Sequence, residues 1–124
     1  MITLRADGAA HTVRVGVAVV DGKLWSSGTQ TRVRTKHVRR DPRSTLFVFD
    51  DQYRWLTIDS TVTLLEGPHA AELNLKLFRV MQNKPSGELS WFGKVLDEAS
   101  FLRQMNDEQR LVYQFEPLRV YGAV

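Results

Sequence analysis

Two Asp-Gly dipeptides, Asp7-Gly8 and Asp21-Gly22, bracket the run HTVRVGVAVV, and no other feature constrains the fold as strongly. Val13, Val15, Val17 and Val19 alternate with Thr12, Arg14, Gly16 and Ala18. That period of two suits a pleated strand with one apolar face and does not suit a helix. Asp-Gly is favoured in tight hairpin turns, whose central residues need positive φ. Ile2 to Arg5 therefore reads as a short first strand, and residues 11–28 read as a β-hairpin closed at Asp21-Gly22. Gly16 and Ala18 leave the far side of the valine strand nearly bare, so either a flat ligand or another backbone can approach it, or a helix packs over it.

Ser26, Ser27 and Thr29 end the returning strand, and Thr31 is placed to cap a helix beginning at Arg32. Pro42 disfavours helical geometry at Asp41, so that helix ends by about Arg40. Ser44 to Phe49 and Tyr53 to Leu65 read as strands around an Asp50-Asp51-Gln52 turn, the second bent near Asp59-Ser60 where apolar density drops. Their apolar runs imply cover on both faces, as in a barrel that is closed or covered by a second copy. A helix is expected from Gly67-Pro68 to about Gln82, with Leu73, Leu77, Val80 and Met81 on one stripe. Asn83 to Gly93 reads as a loop whose Trp91 and Phe92 must pack on something. A second helix spans about Asp97 to Met105, and Arg110 to Phe115 is a last strand followed by an extended tail. The sum is one mainly β (α+β) domain over residues 1–124, with about six antiparallel strands and short peripheral helices.

Charge is concentrated in one place. The stretch Thr31 to Arg43, TRVRTKHVRRDPR, holds 6 of the 17 Lys+Arg residues and 1 of the 14 Asp+Glu residues, so the surplus positive charge of the chain lies here. An anion is its natural partner. By helical phase Arg32, Lys36, Arg39 and Arg40 share a broad face, whereas Arg34 lies on the side of Val38. Val38 has to be buried, so Arg34 sits at the border of the core and is the specific ligand contact, while the later arginines are more at home on a solvated face.

Several chemistries are disfavoured. Cysteine is absent, and His11, His37 and His69 show no metal-ligand spacing, so no metal site is expected. There is no GxGxxG, no GxxxxGK[ST] and no serine with a paired His and Asp. No apolar run is long enough to span a bilayer and no leader pattern is present, which reads as a cytoplasmic protein with no membrane partner. Nucleic acid ranks low because the basic patch is short and lacks interleaved exposed aromatics.

The order of Asp-Gly turn, valine-rich strand, second Asp-Gly turn, strand ending in small polar residues, then R-x-R/K-x-x-x-apolar-R-R-D-P, resembles the pyridoxamine-phosphate-oxidase-like split β-barrel proteins. It is most similar to the actinobacterial branch that uses the deazaflavin coenzyme F-420, and RLVYQFEPLRVYG, Arg110 to Gly122, is similar to that branch's closing strand and tail. The resemblance implies a six-stranded antiparallel split barrel of FMN-binding type, assembled as a homodimer with cofactor sites at the interface. It places the cofactor phosphate at Arg32 and Arg34, with Ser27, Thr29 and Lys36 as neighbours. It implies an F-420-dependent oxidoreductase that transfers a hydride between the deazaflavin and a small organic substrate. FMN is the alternative cofactor, and a non-catalytic flavin or deazaflavin carrier the alternative use. No catalytic residue is assigned. Family members carry Lys where this chain has Arg34, begin with a helix and a fuller first strand that are missing here, and have a Glu-Gly pair where Asp59-Ser60 stands, so no role is carried to that position.

Overall fold

The computed structural model describes residues 1–123. In chain order its elements are β1 (Ile2–Leu4), β2 (Ala10–Thr12), β3 (Ala18–Val20), β4 (Lys23–Thr29), α1 (Val33–Arg40), β5 (Arg43–Phe49), β6 (Trp55–Leu65), α2 (Ala70–Met81), β7 (Leu89–Trp91), β8 (Lys94–Leu96), α3 (Glu98–Asp107) and β9 (Arg110–Ala123). Seven strands form one sheet in the order β2-β1-β5-β6-β9-β4-β3, every neighbouring pair antiparallel, and β7 and β8 form a separate hairpin. The expected mainly β architecture is present, with more strands than the six expected.

Both Asp-Gly turns form, joining β1 to β2 and β3 to β4. The valine run between them is not one strand, because residues 13–17 have no ladder partner. Val13, Val15 and Val17 nevertheless pack against the core cluster that includes Val38, Leu46 and Tyr113. One-sided burial produces the period of two, but ladder hydrogen bonds also need a neighbouring strand, and this stretch bridges the two outer strands of the sheet. Val13 is tied to Met1, its amide donating to Met1 O at 3.0 Å and its carbonyl accepting from the Met1 amine at 2.9 Å, and Gly16 O accepts from the Ser26 hydroxyl at 2.7 Å.

The last strand is longer than expected. Instead of stopping at Phe115, β9 continues beside β6 until Ala123 lies opposite Trp55. Pro117 cannot donate to a ladder, and it is tolerated because the register shifts there: Asp59 faces Arg119, Ser60 faces Pro117, and Leu118 is the extra residue of a bulge. The bend expected at Asp59-Ser60 is this bulge.

Three helix boundaries also move. Thr31 does not cap α1; Arg32 occupies the cap position in extended geometry (φ −63°, ψ 141°) with no side-chain cap. The turn is closed instead by the Thr35 hydroxyl, which donates to Thr29 O at 2.6 Å. Helix α2 starts at Ala70, three residues after Gly67, and α3 starts after Asp97, whose carboxylate accepts from the Ser100 amide at 2.8 Å. The expected Asn83–Gly93 loop contains β7, and Phe92 and Gly93 turn it into β8 with φ of +46° and +80°. Trp91 is buried against Phe78 and Phe101, whereas Phe92 at the tip is 84% exposed.

Beneath β1 and β2 lies a histidine pair. The buried His37 ring accepts or donates one bond with the Thr3 hydroxyl (2.8 Å) and meets His11 edge-on at 5.0 Å between centroids. Burial first, then His11, Arg40 and Arg5, hold the His37 pKa below its ordinary 6.5. The unfolded chain therefore binds the proton more readily than the folded one, and stability falls as pH drops below about 6.5. Urea midpoints measured from pH 8 to pH 5 should decline, and His37→Asn should flatten that decline. Among the described residues no helix is long and apolar enough to cross a membrane.

Candidate anion-binding site

Four segments distant in sequence meet where β4 ends, α1 begins, β9 begins and β7 turns. Ser27 of β4 pairs with Val112 of β9, and Thr29 pairs with Arg110, which brings the first residue of β9 beside the chain leading into α1. A cavity of about 320 Å³ opens there, lined on its polar side by Arg14, Ser27, Arg32, Arg34 and Arg110 and on its apolar side by Phe78 and Trp91.

Arg34 is the central group. Its guanidinium lies 5.6 Å from the Tyr113 ring centroid, and Nη2 donates to Ser27 O at 3.3 Å. Its Nε is buried and has no partner. Burial lowers the Arg34 pKa, and Arg32 and Arg110 push it the same way while Tyr113 opposes them. Like charges crowded in a partly desolvated place, with a donor left over, call for an anion. Tyr113, the platform, is itself fully buried and hydrogen-bonded to the Thr35 hydroxyl.

The five residues singled out from sequence do not all meet. Ser27, Arg32 and Arg34 line this cavity. Thr29 lines a neighbouring one of about 390 Å³, together with Thr31, Arg32 and Glu108. Lys36 lines neither and is exposed. Helical phase had grouped Lys36 with Arg32, but Arg32 stands outside the helix, so its side chain does not follow that phase. The later arginines are engaged elsewhere: Arg39 with Glu66 at 2.7 Å, Arg43 with Asp41 at 2.7 Å, and Arg40 with Leu4 O.

Ser27 is fixed by a hydrogen bond to α2. Asn74 Nδ2 donates to Ala70 O at 2.9 Å, which turns its Oδ1 toward Ser27 and makes the Ser27 hydroxyl the donor of their 2.5 Å bond. The Ser27 proton is thereby committed, and its remaining lone pairs face Arg110 Nη1 at 3.4 Å. Arg110, Asn74 and Glu108 were not recognised as site residues from sequence. Arg110 lies 83 residues from Ser27, and only strand pairing joins them. Among the described residues no cluster of three metal-ligating side chains occurs.

The sheet, with α1 between β4 and β5 and two further helices before β9, has the FMN-binding split-barrel fold. A conserved hypothetical protein from Mycobacterium tuberculosis superposes with a TM-score of 0.72 at 21% identity, covering 98% of this chain and 73% of that one. An F-420 reductase matches with a TM-score of 0.67 at 16% identity, over 97% and 85% of the two chains. A pyridoxamine 5'-phosphate oxidase-related, FMN-binding protein from Nostoc punctiforme matches with a TM-score of 0.60 at 11% identity, over 98% and 71%. No protein-family model matches the chain, and no curated protein sequence does.

Proposed function

We propose that this protein binds the phosphate of a deazaflavin or flavin cofactor in the Arg32–Arg34 cavity and acts as an F-420-dependent oxidoreductase on a small organic substrate. The observation that carries this reading is the buried Nε of Arg34, without a partner among the described residues, in a cavity also lined by Arg14, Arg32 and Arg110. A phosphate accepts from several donors at once and neutralises crowded cations, which a neutral ligand does not do. The fold is shared with proteins described as an F-420 reductase and as FMN-binding, which supports either cofactor. When bound, such a cofactor supplies hydride or electron transfer. The chain's own groups would hold the phosphate through Arg34 and Arg32 and keep the Arg34 fork flat over Tyr113. The apolar side chains of Val13 and Val15 offer the adjoining wall to a planar ring, while the Met81 side chain of α2 packs over Gly16. FMN is the alternative cofactor. Titration with F-420 and with FMN, followed by turnover of reduced coenzyme with unsaturated acceptors, tests the reading: binding of neither on the ~1 mM scale ends it, and binding without turnover supports a carrier.

The assembly proposed is a homodimer. Phe47, Phe49, Trp55 and Tyr121 form a connected aromatic row on one face of β5, β6 and β9, with centroid separations of 5.7, 5.8 and 6.3 Å. Phe49 is 72% exposed, and Phe47 and Tyr121 are exposed as well. A row of this kind fits an interface core. It adjoins an apolar cavity of about 660 Å³ shared by Phe47, Phe49, Val13 and Val15, so a second copy seated here would also close the ring wall of the cofactor site. Sedimentation should give a dimer for the wild type and a monomer for Phe49→Asp; a monomeric wild type removes the assembly.

A further inference from the structure

Another guanidinium of this cavity, Arg110, belongs to no motif for it, and its surroundings differ from those of Arg32 and Arg34. Its side chain is only 9% exposed, and its Cζ lies 5.0 Å from the Trp91 ring centroid. Nε and Nη2 donate to Glu108 Oε1 at 3.0 and 2.8 Å. The other Glu108 oxygen accepts from Trp91 Nε1 at 2.9 Å and Gln104 Nε2 at 2.6 Å, so four donors lock the carboxylate. Arg110 is thus held on one edge and one face. What remains is Nη1, whose protein partner is the Ser27 oxygen at a long 3.4 Å.

The pair is also oriented. Arg110 lines the cavity shared with Arg32 and Arg34, and among the described residues no carboxylate lines that cavity. Glu108 lines the neighbouring cavity at Thr29 and Thr31. The ion pair is therefore a fixed dipole, positive toward one cavity and negative toward the other. Coulomb attraction falls with distance, so an anion in the first cavity is nearer to Arg110 than to Glu108 and gains, while in the second cavity Glu108 offsets the charge of Arg32, which lines both.

We infer that Arg110 is a third anion-binding residue of the proposed cofactor site, clamped by Trp91 and Glu108, and that Glu108 is a built-in counter-ion that lowers the affinity of the site for phosphate groups. This rests on the cofactor reading only for the identity of the ligand; the anion preference stands on the chain's own charges. The two residues then have opposite signs. Removing Arg110 takes away a positioned donor and leaves Glu108 uncompensated, so anion binding weakens. Removing the Glu108 charge leaves the guanidiniums of the cavity with less opposition, so anion binding strengthens. A pair that merely held β9 to α3 would weaken binding, or leave it unchanged, whichever member was lost.

The test is titration of the full chain at low salt with F-420, FMN and inorganic pyrophosphate, read by fluorescence for the cofactors and by the shift of the unfolding midpoint for pyrophosphate. Arg110→Gln should weaken binding about tenfold or more, and Glu108→Gln should strengthen it about threefold, since a charged hydrogen bond is worth about 1.5–3 kcal/mol and tenfold corresponds to about 1.4 kcal/mol. Arg110→Lys, which keeps the charge without the fork, should fall between Arg110→Gln and wild type and covers the case in which Arg110→Gln does not fold. Arg39→Gln, on the far surface pair, is the control and should change nothing. Unchanged binding in the Arg110 variants, or weakening in Glu108→Gln, overturns the inference. Cofactor binding that ignores Arg110 removes this residue and leaves the cofactor reading standing. A pyrophosphate response with the stated signs but no cofactor binding does the reverse. A wild type that responds to none of the three probes ends both.

Discussion

Arg34→Ala is expected to abolish useful cofactor binding while leaving the fold intact or slightly more stable. The loss should be about 3 kcal/mol, roughly 100-fold in affinity, because a guanidinium contributes two or more charge-assisted hydrogen bonds to a phosphate. Stability has the opposite sign. In the free protein the Arg34 Nε is buried without a partner, and Arg32 and Arg110 crowd its charge, so the side chain is a burden until an anion arrives. Isothermal titration with F-420 and FMN, paired with urea unfolding of the free protein, separates the two effects. Affinity retained in the variant would remove Arg34 from the site. Affinity and stability lost together would make it a structural residue. Arg34→Lys should keep part of the affinity, since it keeps the charge and loses the planar fork.

The largest stability loss is expected at Gly28→Ala. A methyl group built on Gly28 runs into the Tyr113 ring and hydroxyl, which sit directly over this glycine. Tyr113 cannot easily give way: it is 0% exposed, its hydroxyl is bonded to Thr35, and it packs with Val38, Leu46 and Phe115 in the main core. Overpacking of such a core costs about 1–3 kcal/mol, which for a domain of this size lowers the melting temperature by up to roughly 10 °C. Because Tyr113 is also the platform beneath Arg34, cofactor affinity should fall with stability, unlike the pattern at Arg34 itself. Combining Gly28→Ala with Tyr113→Leu should destabilise by less than the sum of the two single changes, since the smaller side chain makes room for the methyl group. Additive losses would mean that the two residues do not press on one another.

The His37 titration and the aromatic row bear on the same architecture from its edges. His37 links α1 to β1 through Thr3, so acidification should loosen the basic helix from the outer strands before the central strands respond. The aromatic row lies at the far ends of β5, β6 and β9, and a second copy there would shelter backbone and side chains that a lone chain leaves in water.

Local chemistry wrote part of this protein directly into its chain. The Asp-Gly turns, the strands at Arg43–Phe49 and Trp55–Leu65, the bend at Asp59-Ser60, the stop at Pro42 and the half-buried place of Arg34 all follow from φ preferences, side-chain period and the need to bury Val38, which act within a few residues. Long-range pairing decided the rest. Whether Val13–Val17 becomes a strand depends on a neighbour that the run itself does not specify, and the tail after Phe115 becomes a strand only because β6 lies beside it. The candidate site divides in the same way. Charge count and helix phase single out Arg34 within its own helix. Arg110, Glu108, Asn74 and Trp91 reach the cavity because β4 pairs with β9 and the β7–β8 hairpin packs over α2 and α3. Which cation faces an anion, and which is neutralised by a carboxylate, is settled by distances between residues far apart in the chain, and only the folded arrangement sets those distances.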